Sequence, residues 1–300
     1  MRKNLSLRQI VDRLLLLILL WSLLSSICST IISNLIPDAS QYFYAVVVNC
    51  VRFFSFYIPM KFFLGKCPKF CRSNSFKIEN LCWIFVLLGI YLLSRSVLEY
   101  CGILQTMGIS YRRITEIPYL YYAWFFLFST LWEEIIFRKY IVSYMATINQ
   151  TLAILISSYL FAMLHANLVT APSSFIFGLL AGYTYTVTGS VIFPYLIHFG
   201  VNFFTNTYFN FYTILTHMQG YDLYLIIFIS LCLIFLSLII LNAHAHKTHS
   251  PGIFLSCRNL CHTIFLLRHE LWTVFTSPGM LLAHLIFFIF GLIQTTSMFL

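Results

Sequence analysis

Apolar residues along this chain occur in long stretches that are separated by short segments rich in polar and charged residues. Stretches near 20 residues have the length of a helix that crosses a bilayer. The alternating pattern of a transmembrane strand is absent. The apolar pattern predicts spans at 14–36, 42–64, 81–103, 118–147, 151–166, 172–187, 191–207, 222–243 and 278–299. We therefore expect an all-α, polytopic helical membrane protein with eight or nine transmembrane helices.

The composition supports a membrane protein. Of 300 residues, 60% are hydrophobic and 9% are charged, whereas soluble domains contain about 25% charged residues. The net charge of +9 comes from Lys and Arg at segment ends, notably in 1–13 and 65–80. This placement indicates membrane topology and not nucleic-acid binding, and the positive-inside rule puts the N-terminus and the 65–80 loop in the cytoplasm.

The chain divides into three parts by this pattern. Residues 1–115 are expected to form N-terminal transmembrane helices, and residues 211–300 C-terminal ones. The mixed stretch 248–277 is predicted to lie at the membrane interface. The short loops favour a bacterial cell membrane, with lipid as the surrounding partner. Residues 116–210 form the central part, which contains the polar residues with the clearest chemistry.

Two adjacent carboxylates, Glu133 and Glu134, lie within the long apolar segment of the central part. A charge in the middle of a membrane helix costs roughly 2.5–3.5 kcal/mol on insertion scales, so such residues usually face an interior cavity. Glu134 and Arg138 are four residues apart in the favourable order, which predicts an ion pair. Neighbouring helical residues point about 100° apart, so the two glutamates are predicted not to share a partner. Glu133 is then the candidate general base, and Glu134 the supporting carboxylate.

The helix that follows is predicted to bring His165 to the depth of Glu133. Asn149 and Thr151 mark a polar break, and either can cap the next helix. Glu133 lies about 16 residues before this break and His165 about 15 after it, so at 1.5 Å per residue both are roughly 23 Å from the turn. Antiparallel packing of the two helices would place them side by side.

Two further helices complete the arrangement. Pro172 is placed as a proline in the first turn of a helix. Gly178 and Gly182 form a pair of small residues that allows close helix packing. His198 and Asn202 are four residues apart on the next predicted helix and share a face.

These side chains suit the hydrolysis of a peptide bond, which requires a deprotonated water and a stabilised oxyanion. His165 can hold the water beside Glu133, while His198 and Asn202 can donate hydrogen bonds to the oxyanion. Phe161 is expected to pack against His165 and shape the pocket. Alternatively, Glu133, His165 and His198 could bind a divalent metal such as zinc. The residues themselves leave both versions open.

Three segments in this order resemble the motifs of the CAAX prenyl protease/Abi family of intramembrane peptidases, also called CPBP. The segments are EEIIFR (Glu133–Arg138), FAMLH (Phe161–His165) and HFGVN (His198–Asn202). They are similar to E-E-x-x-x-R, F-x-x-x-H and H-x-x-x-N, and the turn TGSVIFP before the last motif is also similar to the family pattern. The resemblance covers about 118–207. Lys139 departs from it, because glycine commonly follows the motif arginine.

The resemblance implies a CPBP/Abi-type core of eight helices around a membrane-buried cavity, with endopeptidase activity of glutamate or metalloprotease type. It implies a peptide or a prenylated protein as substrate, and in bacteria a role in bacteriocin immunity or peptide maturation. The implied catalytic residues are Glu133, Glu134, His165, His198 and Asn202. The implied orienting residues are Arg138 and Phe161.

Two other functions compete with this one. A catalytically silent scaffold or immunity protein of the same fold would be expected to lose a motif residue, and none is missing. A proton-coupled transporter also uses buried carboxylates and histidines, but the repeat symmetry common in transporters is not seen. Arg52 and Lys61, in the second predicted span, are interpreted as side chains that snorkel or pair.

Overall fold

A computed structural model describes residues 6–35, 41–63, 68, 70, 76–100, 119–165, 170–203, 221–248 and 252–296. Every regular element in these ranges is helical, as the apolar pattern predicts. The ends of several predicted spans, including 101–103, 204–207 and 297–299, lie outside the described residues. The helices are α1 (Leu7–Leu35), α2 (Gln41–Phe63), α3 (Ile78–Tyr100), α4 (Tyr119–Glu134), the π-helix π1 (Ile135–Val142), α5 (Ser143–Met145), α6 (Gln150–Leu164), α7 (Ala171–Thr188), α8 (Ile192–Phe203), α9 (Tyr221–Thr248), α10 (Ile253–Leu266), α11 (Arg268–Phe275) and α12 (Pro278–Thr296).

The expected number of eight or nine membrane spans is not confirmed. In the described part of the chain, four helices are long and apolar enough to cross a bilayer, within α1, α2, α3 and α9. A fifth span is obtained if α11 and α12, which meet at a bend of 65°, are taken together. The central helices are shorter or irregular: α6 has 15 residues and α8 has 12. The stretch predicted to be interfacial forms α10 and α11, and no described side chain of α10 is buried.

The long helices pack as neighbours around the central part. α1 packs along α2 and α12, while α3 packs along α9. The amide of Gly279, in the first turn of α12, donates to Oδ1 of Asp12 on α1 at 3.0 Å. A carboxylate at this position also complements the positive end of the α12 dipole. The first and last helices are therefore joined by a specific polar contact.

The start of α6 and the start of α7 form as the sequence predicts. The side chain of Asn149 caps α6 by accepting from the amide of Leu152 at 3.0 Å, and Pro172 lies in the first turn of α7. A Cβ on Gly178 would lie 2.6 Å from Cα of Ser158 on α6. Only glycine permits this separation of the two backbones, so Gly178 fixes the distance between the helices.

The predicted helix 118–147 is helical over its described length but is not a regular α-helix. Its eight residues from Ile135 to Val142 form π1. Ser157 of α6 donates to the carbonyl oxygen of Phe137 at 3.1 Å, and a side chain inserted at a backbone carbonyl disturbs the regular helical ladder. The contact that accompanies the π-helical segment comes from α6, so the sequence of the segment itself does not predict it. π-Helical turns are frequent at functional sites, and π1 follows directly after the two glutamates.

Candidate active site

Glu134 and Arg138 form the predicted ion pair, with Nε of Arg138 3.0 Å from Oε2 of Glu134. Both side chains have an exposed fraction of 0%. Nη1 of Arg138 also donates to Oγ of Ser157 at 3.4 Å, and its guanidinium carbon lies 5.0 Å from the centre of the Phe161 ring. The cation is thus held by a carboxylate, a hydroxyl and an aromatic face, and Glu134 can remain ionised inside the protein.

His198 lies between the two glutamates. Its Nδ1 is 2.8 Å from Oε1 of Glu134, and its Nε2 is 3.8 Å from Oε2 of Glu133. The prediction that the two glutamates cannot share a partner is therefore wrong. An imidazole carries its two nitrogens on different edges of the ring, so one His198 side chain reaches two carboxylates that diverge from the end of α4.

The ring of His198 is held in place from the side as well. It is buried, and its centre lies 4.4 Å from that of Phe177 and 5.8 Å from that of Phe161. Asn202 lies one turn further along α8 and is partly buried. His198 and Asn202 thus occupy neighbouring positions on one face of α8, as their spacing predicts.

Glu133 differs from Glu134 in its surroundings, because 32% of its side chain is exposed. It lines a cavity of about 270 Å³ that His165 also lines. The two residues predicted to lie at matching depth therefore face the same space. Nδ1 of His165 lies 2.8 Å from the carbonyl oxygen of Phe161. A carbonyl can only accept, so Nδ1 carries the proton, and Nε2 of the neutral ring is an acceptor.

Phe161 contacts three of the motif side chains. Its ring centre lies 4.7 Å from that of His165, in addition to its contacts with Arg138 and His198 described above. The prediction of packing against His165 is confirmed. Phe161 itself is buried, so it fixes the relative positions of groups on π1, α6 and α8.

The cavity has a second wall, which the sequence analysis missed. α1 contributes Trp21, Ser22, Ser25 and Ser26, and α2 contributes Asn49 and Arg52. Arg52 was expected to snorkel or pair in its own span, but it lies on the cavity that Glu133 faces. Lys61 behaves differently and lies over the ring of Tyr57, 5.5 Å from its centre. The signal of this wall in the sequence was the pair Asn49 and Arg52, a polar amide and a charge three residues apart in the middle of an apolar helix.

The alternative metal site is not assembled in the part of the chain that the structure describes. There, no three His, Cys, Asp or Glu side chains lie together as a metal-binding group. Glu133, His165 and His198 are all described, and the contact of Nδ1 of His198 with Glu134 leaves its Nε2 directed toward Glu133.

Comparison with known proteins gives a match for the central part of the chain. Residues 115–204 match the family model described as Rce1-like, type II CAAX prenyl endopeptidase. The matched range contains all three motifs, so the resemblance inferred from them is confirmed over this part of the chain. No curated protein and no solved structure matches the chain. The chain is thus an all-helical protein with candidate membrane spans, and its central part is similar to this family.

Proposed function

We propose that this protein is an intramembrane endopeptidase that hydrolyses a peptide bond with a water activated by Glu133. The observation that carries the proposal is the placement of Glu133 on a cavity, next to a histidine whose other nitrogen is held by a buried carboxylate. A carboxylate that positions an imidazole is a recurring arrangement in hydrolases.

The position of the attacking water follows from two atoms. Oε2 of Glu133 and Nε2 of His198 are 3.8 Å apart, a separation at which one water can contact both at ordinary hydrogen-bond length. Glu133 takes a proton from this water, and the hydroxide attacks the carbonyl carbon of the scissile bond. The C–N bond then breaks, and the protonated Glu133 gives its proton to the leaving amine. The water is consumed, and Glu133 returns to its starting form.

The remaining residues divide into donors and supports. His165 accepts a hydrogen bond through Nε2 and helps to hold the water on the cavity side. When His198 carries both ring protons, Nδ1 donates to Glu134 and Nε2 can donate to the oxyanion, together with the amide of Asn202. Glu134 orients His198, and Arg138 keeps Glu134 ionised. This scheme uses the side chains of the protein and one water.

The matched family description suggests a prenylated substrate. An apolar groove of about 230 Å³ lies between α1, α6 and α12. It shares Ser22, Ser26 and Leu164 with the lining of the main cavity. An isoprenoid chain in this groove would place the attached peptide at the carboxylate, because burial of apolar surface supplies the binding energy. A bacteriocin or other apolar peptide is the alternative occupant.

The decisive experiment is a cleavage assay in proteoliposomes, with a farnesylated peptide and the same peptide without the lipid. We expect Glu133→Gln to lower cleavage by at least about 100-fold. Glu79→Gln is the matched control, because Glu79 contacts His244 on α9, away from the cavity, and this variant should cleave like wild type. If the wild-type protein cleaves neither peptide, or if Glu133→Gln cleaves as well as wild type, the proposal fails and a silent scaffold of the same fold is favoured.

A further inference from the structure

Arg52 is a charged residue in the middle of α2 that has no anionic partner among the described residues. Its backbone carbonyl accepts from Nε1 of Trp21 at 2.8 Å and from Oγ of Ser55 at 3.1 Å, but the described part of the structure gives its guanidinium no hydrogen bond or ion pair. An unpaired charge in a membrane helix costs several kcal/mol unless it faces water or an anion. The side chain lines the cavity of Glu133, which is where such an anion would bind.

The other ionisable groups on this cavity do not neutralise Arg52. Glu133 and His165 line it too, and within the described ranges neither carboxylate of the glutamate pair lies within 4.0 Å of Arg52, whereas both contact His198. A substrate must also leave Glu133 free to act on water. The cavity therefore contains a base, Glu133, and a cation, Arg52, that do not form an ion pair within the described ranges.

The walls around Arg52 offer further hydrogen-bond donors. Ser22 and Ser26, which each carry a hydroxyl, line the same cavity. Nε1 of Trp132, another lining residue, is buried and has no acceptor among the residues that the structure describes. A buried donor without an acceptor is unfavourable, and a bound anion would supply the acceptor. Cation and orphan donor thus both indicate a negatively charged ligand.

We propose that Arg52 binds the free C-terminal carboxylate of the peptide substrate and so selects a scissile bond near the chain end. The planar guanidinium fork matches a carboxylate in two parallel hydrogen bonds. This inference rests on the proposed peptidase function, because it assigns the anion to the substrate of that site. Arg52 is thereby a specificity-determining residue, opposite to the base that performs the chemistry.

The test uses two peptides that differ only in a C-terminal carboxylate or carboxamide. We expect the wild-type protein to cleave the acid with a kcat/KM about 10- to 100-fold higher than the amide, as for a hydrogen bond to a charged group. Arg52→Gln should lower kcat/KM for the acid alone and abolish the preference, and Arg52→Lys should retain part of it. Lys61→Gln, which removes a cation from the same helix outside the cavity, should keep the full preference.

Two cleavage results would overturn this proposal. Equal cleavage of acid and amide by the wild-type protein would show that the carboxylate is not recognised. An equal loss on both peptides in Arg52→Gln would place the guanidinium at the oxyanion or in the fold. Should Arg52→Gln fail to fold, Arg52→Lys tests the guanidinium itself, and a preference for the acid as large as that of the wild-type protein would overturn the proposal.

A binding measurement separates this proposal from the proposed peptidase function. Fluorescence anisotropy of the two labelled peptides on the nanodisc-embedded protein requires no cleavage. If the protein binds the acid more tightly than the amide through Arg52 but cleaves neither, the carboxylate site stands and the peptidase fails. If cleavage occurs but binding shows no preference for the acid, the peptidase stands and the carboxylate site fails.

Discussion

Nδ1 of His198 lies 2.8 Å from Oε1 of Glu134, and this contact joins α8 to the end of α4 across 64 residues of sequence. Glu134 is acceptor-only when it is ionised, so Nδ1 must be the donor. The contact therefore fixes which ring nitrogen faces Glu134 and which faces Glu133. The two glutamates are unequal because one is engaged behind the histidine and the other is open to the cavity.

Substitutions of His198 should separate its two contacts. The amide of His198→Asn can reproduce the Nδ1 donor but leaves nothing at the position of Nε2. The amide of His198→Gln can approach the position of Nε2 instead. We expect His198→Asn to unfold at nearly the wild-type temperature and to lose cleavage by about 100-fold or more, whereas His198→Gln should lose more stability.

Thermal unfolding in detergent and the cleavage assay together measure this separation. Equal loss of stability in both variants would contradict the assignment of the Nδ1 contact as the structural one.

Substitution of Arg138 should lower the stability of the protein more than a typical surface substitution does. Arg138→Met leaves the carboxylate of Glu134 buried without its cation, which we expect to lower the free energy of unfolding by about 3 kcal/mol or more. The double variant Glu134→Gln and Arg138→Met removes both charges and should recover part of this loss. Lys139→Met changes the adjacent, exposed cation and should stay within about 0.5 kcal/mol of wild type.

Equilibrium unfolding of the four proteins in the same detergent tests this order. A double variant that is no more stable than Arg138→Met alone would show that the cost does not come from the unpaired charge.

The close packing of α6 and α7 gives a third prediction. A methyl group on Gly178 would meet Cα and Cβ of Ser158 at 2.6 and 2.7 Å, and backbone cannot move aside as a flexible side chain can. We expect Gly178→Ala to destabilise the protein by about 1–3 kcal/mol and to lower cleavage, because α6 holds Phe161 and His165. Gly200→Ala is the matched control, since no described atom lies within 4 Å of a Cβ there.

The melting temperatures of the two alanine variants decide this prediction. Similar melting temperatures for the two variants would mean that α6 and α7 can move apart at little cost and that Gly178 does not set their distance.

Metal chelation provides a fourth prediction. The candidate ligands are not arranged as a metal-binding group within the described ranges, and the proposed mechanism uses a water activated by Glu133 alone. We expect that neither 1,10-phenanthroline nor EDTA changes the cleavage rate or the melting temperature. Loss of activity with a chelator, restored by zinc and matched by one bound metal per chain in elemental analysis, would contradict this expectation.

The elements that the sequence predicts correctly depend on local signals. The Asn149 cap, the helical turn at Pro172 and the Glu134–Arg138 pair each follow from the spacing of residues within one helix or at its end. The prediction that Glu133 and His165 lie close together used one further observation, which is that both are equally distant from the turn between their helices. The pair of small residues Gly178 and Gly182 predicts that α7 packs closely against another helix, which in the structure is α6.

What the sequence analysis missed depends on contacts between distant helices. The π-helix follows from Ser157, which reaches the backbone of a neighbouring segment. The double contact of His198 requires the orientation of α8 relative to α4, which periodicity does not contain. The position of Arg52 on the cavity depends on how α2 rotates against its neighbours. The number of spans predicted from segment length stays a prediction.

The hydrogen bond between Asp12 and Gly279 joins residues that are 267 positions apart. The helix that carries Asp12 also forms a wall of the cavity, so α12 adds a contact that holds this wall. Chains are synthesised from the N-terminus onward. A nascent chain that still lacks α12 is therefore expected to contain every motif residue and to lack one of the contacts that hold the cavity wall.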